Sequence, residues 1–168
     1  NGGDYGLFVS KDSVSNNYEA TALWIVASRT LDPLKVGEYE FSFDWRAGGW
    51  QDSIYNEDGL YVCWVPDTVK TNSLQSSTTP PYIEQYALDF DRKSVRLSQS
   101  DWNTEVGTLT SDGTSYKLVF IWRSDIYGSY PPAACVDNIL LMPVGYCHKP
   151  YDLKLEVNDL DATFSWSG

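Results

Sequence analysis

The sequence predicts an all-β fold, a sandwich of two antiparallel sheets with jelly-roll or Greek-key connections, on three observations. Apolar and polar residues alternate with period two in run after run. No long stretch carries the 3.6-residue period of a helix. Turn-forming residues punctuate the runs at short spacing. At 168 residues with 15% aromatics, the chain is long and apolar enough to bury a core of its own.

Taken in order, runs 5–10 and 22–29 open the series of strands. Run 39–45 sets Tyr39, Phe41, Phe43 and Trp45 on one face and Glu40, Ser42 and Asp44 on the other, which is a half-buried strand. Run 59–65 follows. Residues 66–81 are Ser/Thr-rich and bounded by Pro66 and Pro81, so they read as a surface excursion. Runs 86–89, 94–97 and 102–108 come next. Run 116–123 is apolar on both faces, with Leu118, Phe120 and Trp122 against Val119 and Ile121, and so belongs in the middle of a sheet. Run 136–142 closes the series. Residues 34–37, 111–114 and 127–132 carry the turn chemistry between strands.

Twelve Lys and Arg against 23 Asp and Glu leave a net charge of −11. Such a chain repels phosphate backbones and anionic lipid, so neither nucleic acid nor a membrane surface is expected as a partner. No apolar run is long enough to span a bilayer as a helix. The three cysteines, Cys63, Cys135 and Cys147, have none of the close spacings of zinc sites. They allow one disulfide and one free thiol, while Cys63 and Cys135 fit equally well as small buried hydrophobes. After residue 146 a new pattern starts, with Leu153 and Leu155, a polar turn at Asn158-Asp159, then Ala162, Phe164 and Trp166. Two units are therefore expected, 1–146 and the beginning of a second over 147–168, as in a piece of something larger.

The blocks LFVSKD at 7–12, SRTL at 28–31, VGEYEFSFDWRA at 36–47, LYV at 60–62, YKLVFIWRSD at 116–125 and PPAACVDNI at 131–139 stand in a characteristic order. Over residues 5–142 this series resembles the jelly-roll modules of secreted bacterial surface proteins known as cleaved-adhesin, choice-of-anchor J or MAM-like domains. Residues 147–168 are similar to the first two strands of a fibronectin type III module, with Pro150, Leu153 and Trp166 in matching places. The resemblance implies a secreted or cell-surface module of a bacterial multidomain adhesin, with a glycan or an extracellular protein surface as its partner. Modules of this kind also hold a structural calcium near the last strand, where Asp137 and Asn138 stand, and hard oxygen ligands in loops suit that ion. Alternatively, Asp137 pairs with a sheet arginine and Asn138 satisfies a strand edge.

Catalysis has little to work with. The one imidazole, His148, lies in the linker between the two units, which argues against a hydrolase built on a histidine base. A glycosidase needs two carboxylates about 5–9.5 Å apart across a cleft. Asp52, Glu57 and Asp58 share one loop and read as its solvated face. The expected function is therefore noncatalytic, adhesion or carbohydrate binding, with a spacer between domains or a glycoside-active enzyme accessory as alternatives. Sugars stack on exposed rings, so the loop aromatics Trp50, Tyr55, Tyr127 and Tyr130 are the candidate binding residues. Trp45, Trp64, Trp102 and Trp122 lie on strands and are expected in the core. Arg29, Asp44, Arg123 and Asp137 interrupt apolar strands and are expected to form Arg–carboxylate bridges on one sheet face, with Asp44 or Asp137 beside Arg123. A clamp of Arg29 and Arg123 on a ligand is the alternative.

Overall fold

The computed structural model describes residues 6–49, 58–71, 86, 99–145, 151–158 and 161–167. Among these residues, nine strands run in chain order: β1 (Leu7–Phe8), β2 (Leu23–Thr30), β3 (Gly37–Ala47), β4 (Gly59–Pro66), β5 (Gln99–Ser111), β6 (Tyr116–Ser124), β7 (Cys135–Pro143), β8 (Tyr151–Asn158) and β9 (Asp161–Ser167). The described residues contain no α-helix. The candidate strands at 86–89 and 94–97 lie outside them, apart from Tyr86.

Two antiparallel sheets, ordered β1-β7-β3-β5 and β2-β6-β4, pack face to face. Consecutive described strands from β1 to β7 alternate between the sheets, which is the winding of a jelly roll. Tyr86 O accepts a hydrogen bond from Trp64 N at 2.9 Å, so Tyr86 lies along the outer edge of β4.

The alternation in β3 is carried through as read. Phe41 and Phe43 are 0% exposed, with Tyr39 and Trp45 buried beside them. Across the sandwich, Phe43 meets Phe120 of β6 edge to face at 6.0 Å. Leu60, Val62, Leu118 and Trp122 complete this inner layer. Burying each such side chain stabilises the fold by roughly 1.5–3 kcal/mol. β6 lies between β2 and β4. Its other face joins a second cluster, in which Val119 and Ile121 pack with Tyr61, Cys63, Val65, Val69 and Tyr86. An apolar pattern on both faces thus corresponds to two apolar layers.

Two expectations are corrected. Arg29 and Arg123 belong to the sheet of β2 and β6, whereas Asp44 and Asp137 face each other across β3 and β7 in the other sheet. The alternate winding separates strands that sequence order alone leaves free to meet. Arg123 lies over the ring of Trp24, 5.6 Å from its centroid. Arg29 pairs with Leu118, five residues before Arg123 along β6, so their backbone positions are roughly 17 Å apart and on opposite faces of the sheet by the strand period, and they form no common clamp. The second correction concerns Trp102, which is 47% exposed and not in the core. Thr104 pairs with Asp44 on the outer face, and Trp102, two residues earlier, falls on that face by the strand period.

Cys63 and Cys135 are both buried, on strands of different sheets, and are not bonded to each other. Cys147 lies outside the described residues. β8 and β9 pair with each other as a separate two-stranded sheet. Leu155 on this hairpin is 55% exposed.

Candidate functional site

The outer face of the four-stranded sheet carries a groove at the end where β3 finishes and β5 and β7 begin. Along β3, the ladder to β5 jumps between Trp45, opposite Asn103, and Ala47, opposite Gln99. Such an irregularity re-aims the side chains beside it. Here Arg46 lies over the ring of Trp102, with its guanidinium carbon 5.2 Å from the centroid. The groove has a volume of about 390 Å³, and Phe8, Val14, Asn16, Arg46, Trp102 and Asp137 are among its lining residues. That volume is in the range of small-ligand sites.

Two polar atoms in this lining have unused hydrogen-bonding capacity. Arg46 Nε is buried with no acceptor, and Asn16 Oδ1 is buried with no donor. Asn16 Nδ2 donates to Ala133 O at 3.1 Å, which fixes the amide plane. The loop that supplies Val14 and Asn16 is tied together by Asp12. Its carboxylate accepts from the backbone N–H of Val14 and Ser15 at 2.9 and 2.8 Å, and from the Ser10 hydroxyl at 2.8 Å. Hydrogen bonds from Ser15, with further ones from Val14 and Ser10, hold the Asp12 carboxyl well below the usual carboxylate range. One wall of the groove is therefore a braced turn.

Below the groove on the same face, Asp44 accepts hydrogen bonds from Asn138 Nδ2 at 2.6 Å and from Thr104 Oγ1 at 2.5 Å. These bonds, that from Asn138 first, hold its carboxyl below the ordinary aspartate value. Asp137 Oδ1 accepts from Asn138 N at 2.8 Å, and Asn138 adopts φ 49°, a left-handed conformation that asparagine tolerates. Asp137 and Asn138 thus share a polar cluster with Asp44 and Thr104. The donors are of the hard-oxygen kind that calcium uses, but that ion takes six to eight oxygens, and the set is incomplete among the described residues. No group of three or more His, Cys, Asp and Glu side chains suited to a metal is found among them.

Tyr127 and Tyr130 belong to a loop at the same end of β3. Gly48 N donates to Pro132 O at 2.6 Å and Gly49 N to Tyr130 O at 2.8 Å, which pins the loop carrying Tyr127 and Tyr130 against the end of β3. Tyr127 is 68% and Tyr130 51% exposed, as a contact surface requires. Trp50 and Tyr55 lie outside the described residues, as do Asp52 and Glu57.

Asp58 departs from its expected role as a solvated loop carboxylate, for it is 1% exposed. Its Oδ2 accepts from the Tyr18 hydroxyl at 2.6 Å and its Oδ1 from Asp125 N at 3.0 Å. Tyr18 in turn accepts from Tyr130 N at 2.9 Å and packs edge to face on Trp122 at 5.2 Å. Burial first, then the hydrogen bond to Asp58, pushes the Tyr18 hydroxyl well above the ordinary tyrosine value. The cluster therefore braces the Tyr127–Tyr130 loop from beneath. Sequence reasoning missed it, although Asp58 directly precedes the apolar run of β4, where a charge needs a partner. It also missed Arg46 and Asn16, whose residue types carry no signal until the bulge and the braced turn bring them together.

Neither a protein-family model nor a curated protein matches the chain. No helix among the described residues is long and apolar enough to cross a membrane.

Proposed function

We propose that this chain is a noncatalytic extracellular module for adhesion or carbohydrate binding, from a modular bacterial surface protein, and that its ligand occupies the groove at Arg46 and Trp102. The observation that carries this reading is the half-exposed Trp102 ring, which lines a groove of small-ligand size together with the polar side chains of Arg46, Asn16 and Asp137. A pyranose offers C–H patches to a ring and hydroxyl groups to such polar neighbours. Tyr127 and Tyr130 extend the contact surface at the same end, and Trp50 and Tyr55 are assigned to it on their loop positions in the sequence. A structural calcium held in part by Asp137 and Asn138 belongs to the same reading, and calorimetric titration with calcium chloride tests it directly.

Glycan-array binding of the whole chain, repeated with Trp102→Ala and Tyr130→Ala, tests the main proposal. The expected result is a defined set of bound glycans and a loss of at least about tenfold in affinity with Trp102→Ala, the scale of a stacking contact together with its buried area. A chain that binds no glycan, or whose binding is indifferent to Trp102, would move the spacer reading ahead.

A further inference from the structure

We infer that the groove selects glycans bearing a carboxylate, as on a uronic or sialic acid residue, and that Arg46 is the residue that reads it. The inference rests on the carbohydrate-binding reading above and names the ligand class of the same site.

Three features point to an anionic sugar. Arg46 has no ion-pair partner among the described residues, in a chain that carries 23 Asp and Glu against 12 Lys and Arg. The Arg46 guanidinium is half-buried and forms no ion pair with a described residue, Asp137 of the same groove included, so its charge is left open to a ligand. Second, the guanidinium is held over one face of Trp102 at 5.2 Å, which fixes its planar fork against the ring whose remaining exposed area would carry the sugar. Stacking and charge are then presented to a single residue of the ligand. Third, Asp137 lines the same groove, so a hydroxyl group of the sugar finds an acceptor in the site that holds the charge contact. A neutral sugar would offer Arg46 only uncharged hydroxyl oxygens. A carboxylate completes the set, because the fork of donors in arginine matches its two oxygens. The overall negative charge opposes approach at long range, but at physiological ionic strength it is screened beyond about 8 Å, so the local pairing decides affinity.

The test compares acids with their neutral isosteres on the whole chain. Trigalacturonic acid and α2,3-sialyllactose serve as the two acidic probes, each against its methyl ester, with binding measured by calorimetry. The expected result is that at least one acid binds about tenfold or more tightly than its own ester, and which acid does so separates uronic from sialic ligands. Arg46→Gln should bring the acid-to-ester ratio close to one, while Arg46→Lys, which keeps the charge and loses the fork, should restore only part of it. The wild-type acid-to-ester ratio needs no variant, so the inference stays testable even if Arg46→Gln fails to fold. Esters that bind as well as acids in a Trp102-dependent way would overturn the inference and leave the binding module standing. Failure of both acids and both esters, with neutral glycans bound elsewhere on an array, would overturn it as well. No binding to any glycan would remove both readings.

Discussion

Tyr18 shows how much of the molecule can rest on one hydroxyl. It donates to the buried Asp58 carboxylate and accepts from Tyr130 N, so one group joins the start of β4 to the exposed aromatic loop. Tyr18→Phe leaves Asp58 short of a donor in a site with little water. We expect a loss of about 1–3 kcal/mol in urea denaturation, together with weaker ligand binding through a loosened Tyr130. The same hydroxyl predicts a pH dependence. Its folded-state value is raised, so its contribution to stability is whole below the unfolded tyrosine value near 10 and is lost as pH rises from there towards the folded value. Denaturation between about pH 9 and about pH 11 should therefore show a steeper loss in the wild type than in Tyr18→Phe, with the other tyrosines common to both. Parallel curves would show that Tyr18 ionises as freely folded as unfolded.

Among the elements, the end of β3 carries the most consequence. Gly48 lies so close to the loop after β6 that an added Cβ would overlap Tyr130 O and approach Pro132 O to 2.9 Å. Backbone atoms cannot yield as a flexible side-chain tip can. Gly48→Ala should therefore destabilise the protein by roughly 1–3 kcal/mol, the range for overpacking, and displace Tyr130. Unfolding midpoints and tyrosine fluorescence measure the two effects, and a variant as stable as the parent would show that the loop is free to move away. β3 and β6 illustrate what a strand pattern conveys. The phase of Phe41 and Phe43 was legible because a one-residue slip would turn both out of the core. The two-sided apolar run of β6 announced a central strand, which β2 and β4 flank. Trp102 was misplaced by the same kind of reasoning: a large ring on a strand suggests core, and only the pairing of Thr104 with Asp44 shows which face it occupies.

At the scale of the whole molecule, the sandwich and the terminal hairpin are held by different ladders. β8 and β9 pair only with each other among the described strands. An isolated hairpin is marginal in water, and apolar residues such as Leu155 would gain from cover. The ladders predict that a chain ending at residue 145 unfolds within about 0.5 kcal/mol of the whole chain, as expected when no pairing between the described strands of hairpin and sandwich is removed. A much larger loss in urea denaturation would show that the hairpin is seated on the sandwich through side chains. Glycan binding at the Trp102 groove should survive the same truncation.

The sequence by itself determined the all-β class, the nearly complete list of strands among the described residues, the phase of β3 and the central place of β6, because each of these follows from short-range alternation that the chain carries along its own length. It also pointed to exposed aromatics at Tyr127 and Tyr130, through the turn residues around them. Which charges meet was decided only by the tertiary structure. The jelly-roll winding sends β2 and β6 to one sheet and β3 and β7 to the other, so Arg123 meets Trp24 while Asp44 and Asp137 face each other. Asp58 became a buried brace, and Arg46, Trp102 and Asn16 became one groove, by the same cause. Residues separated by tens of positions are brought together by strand order and by a bulge, and neither leaves a local trace in composition or period.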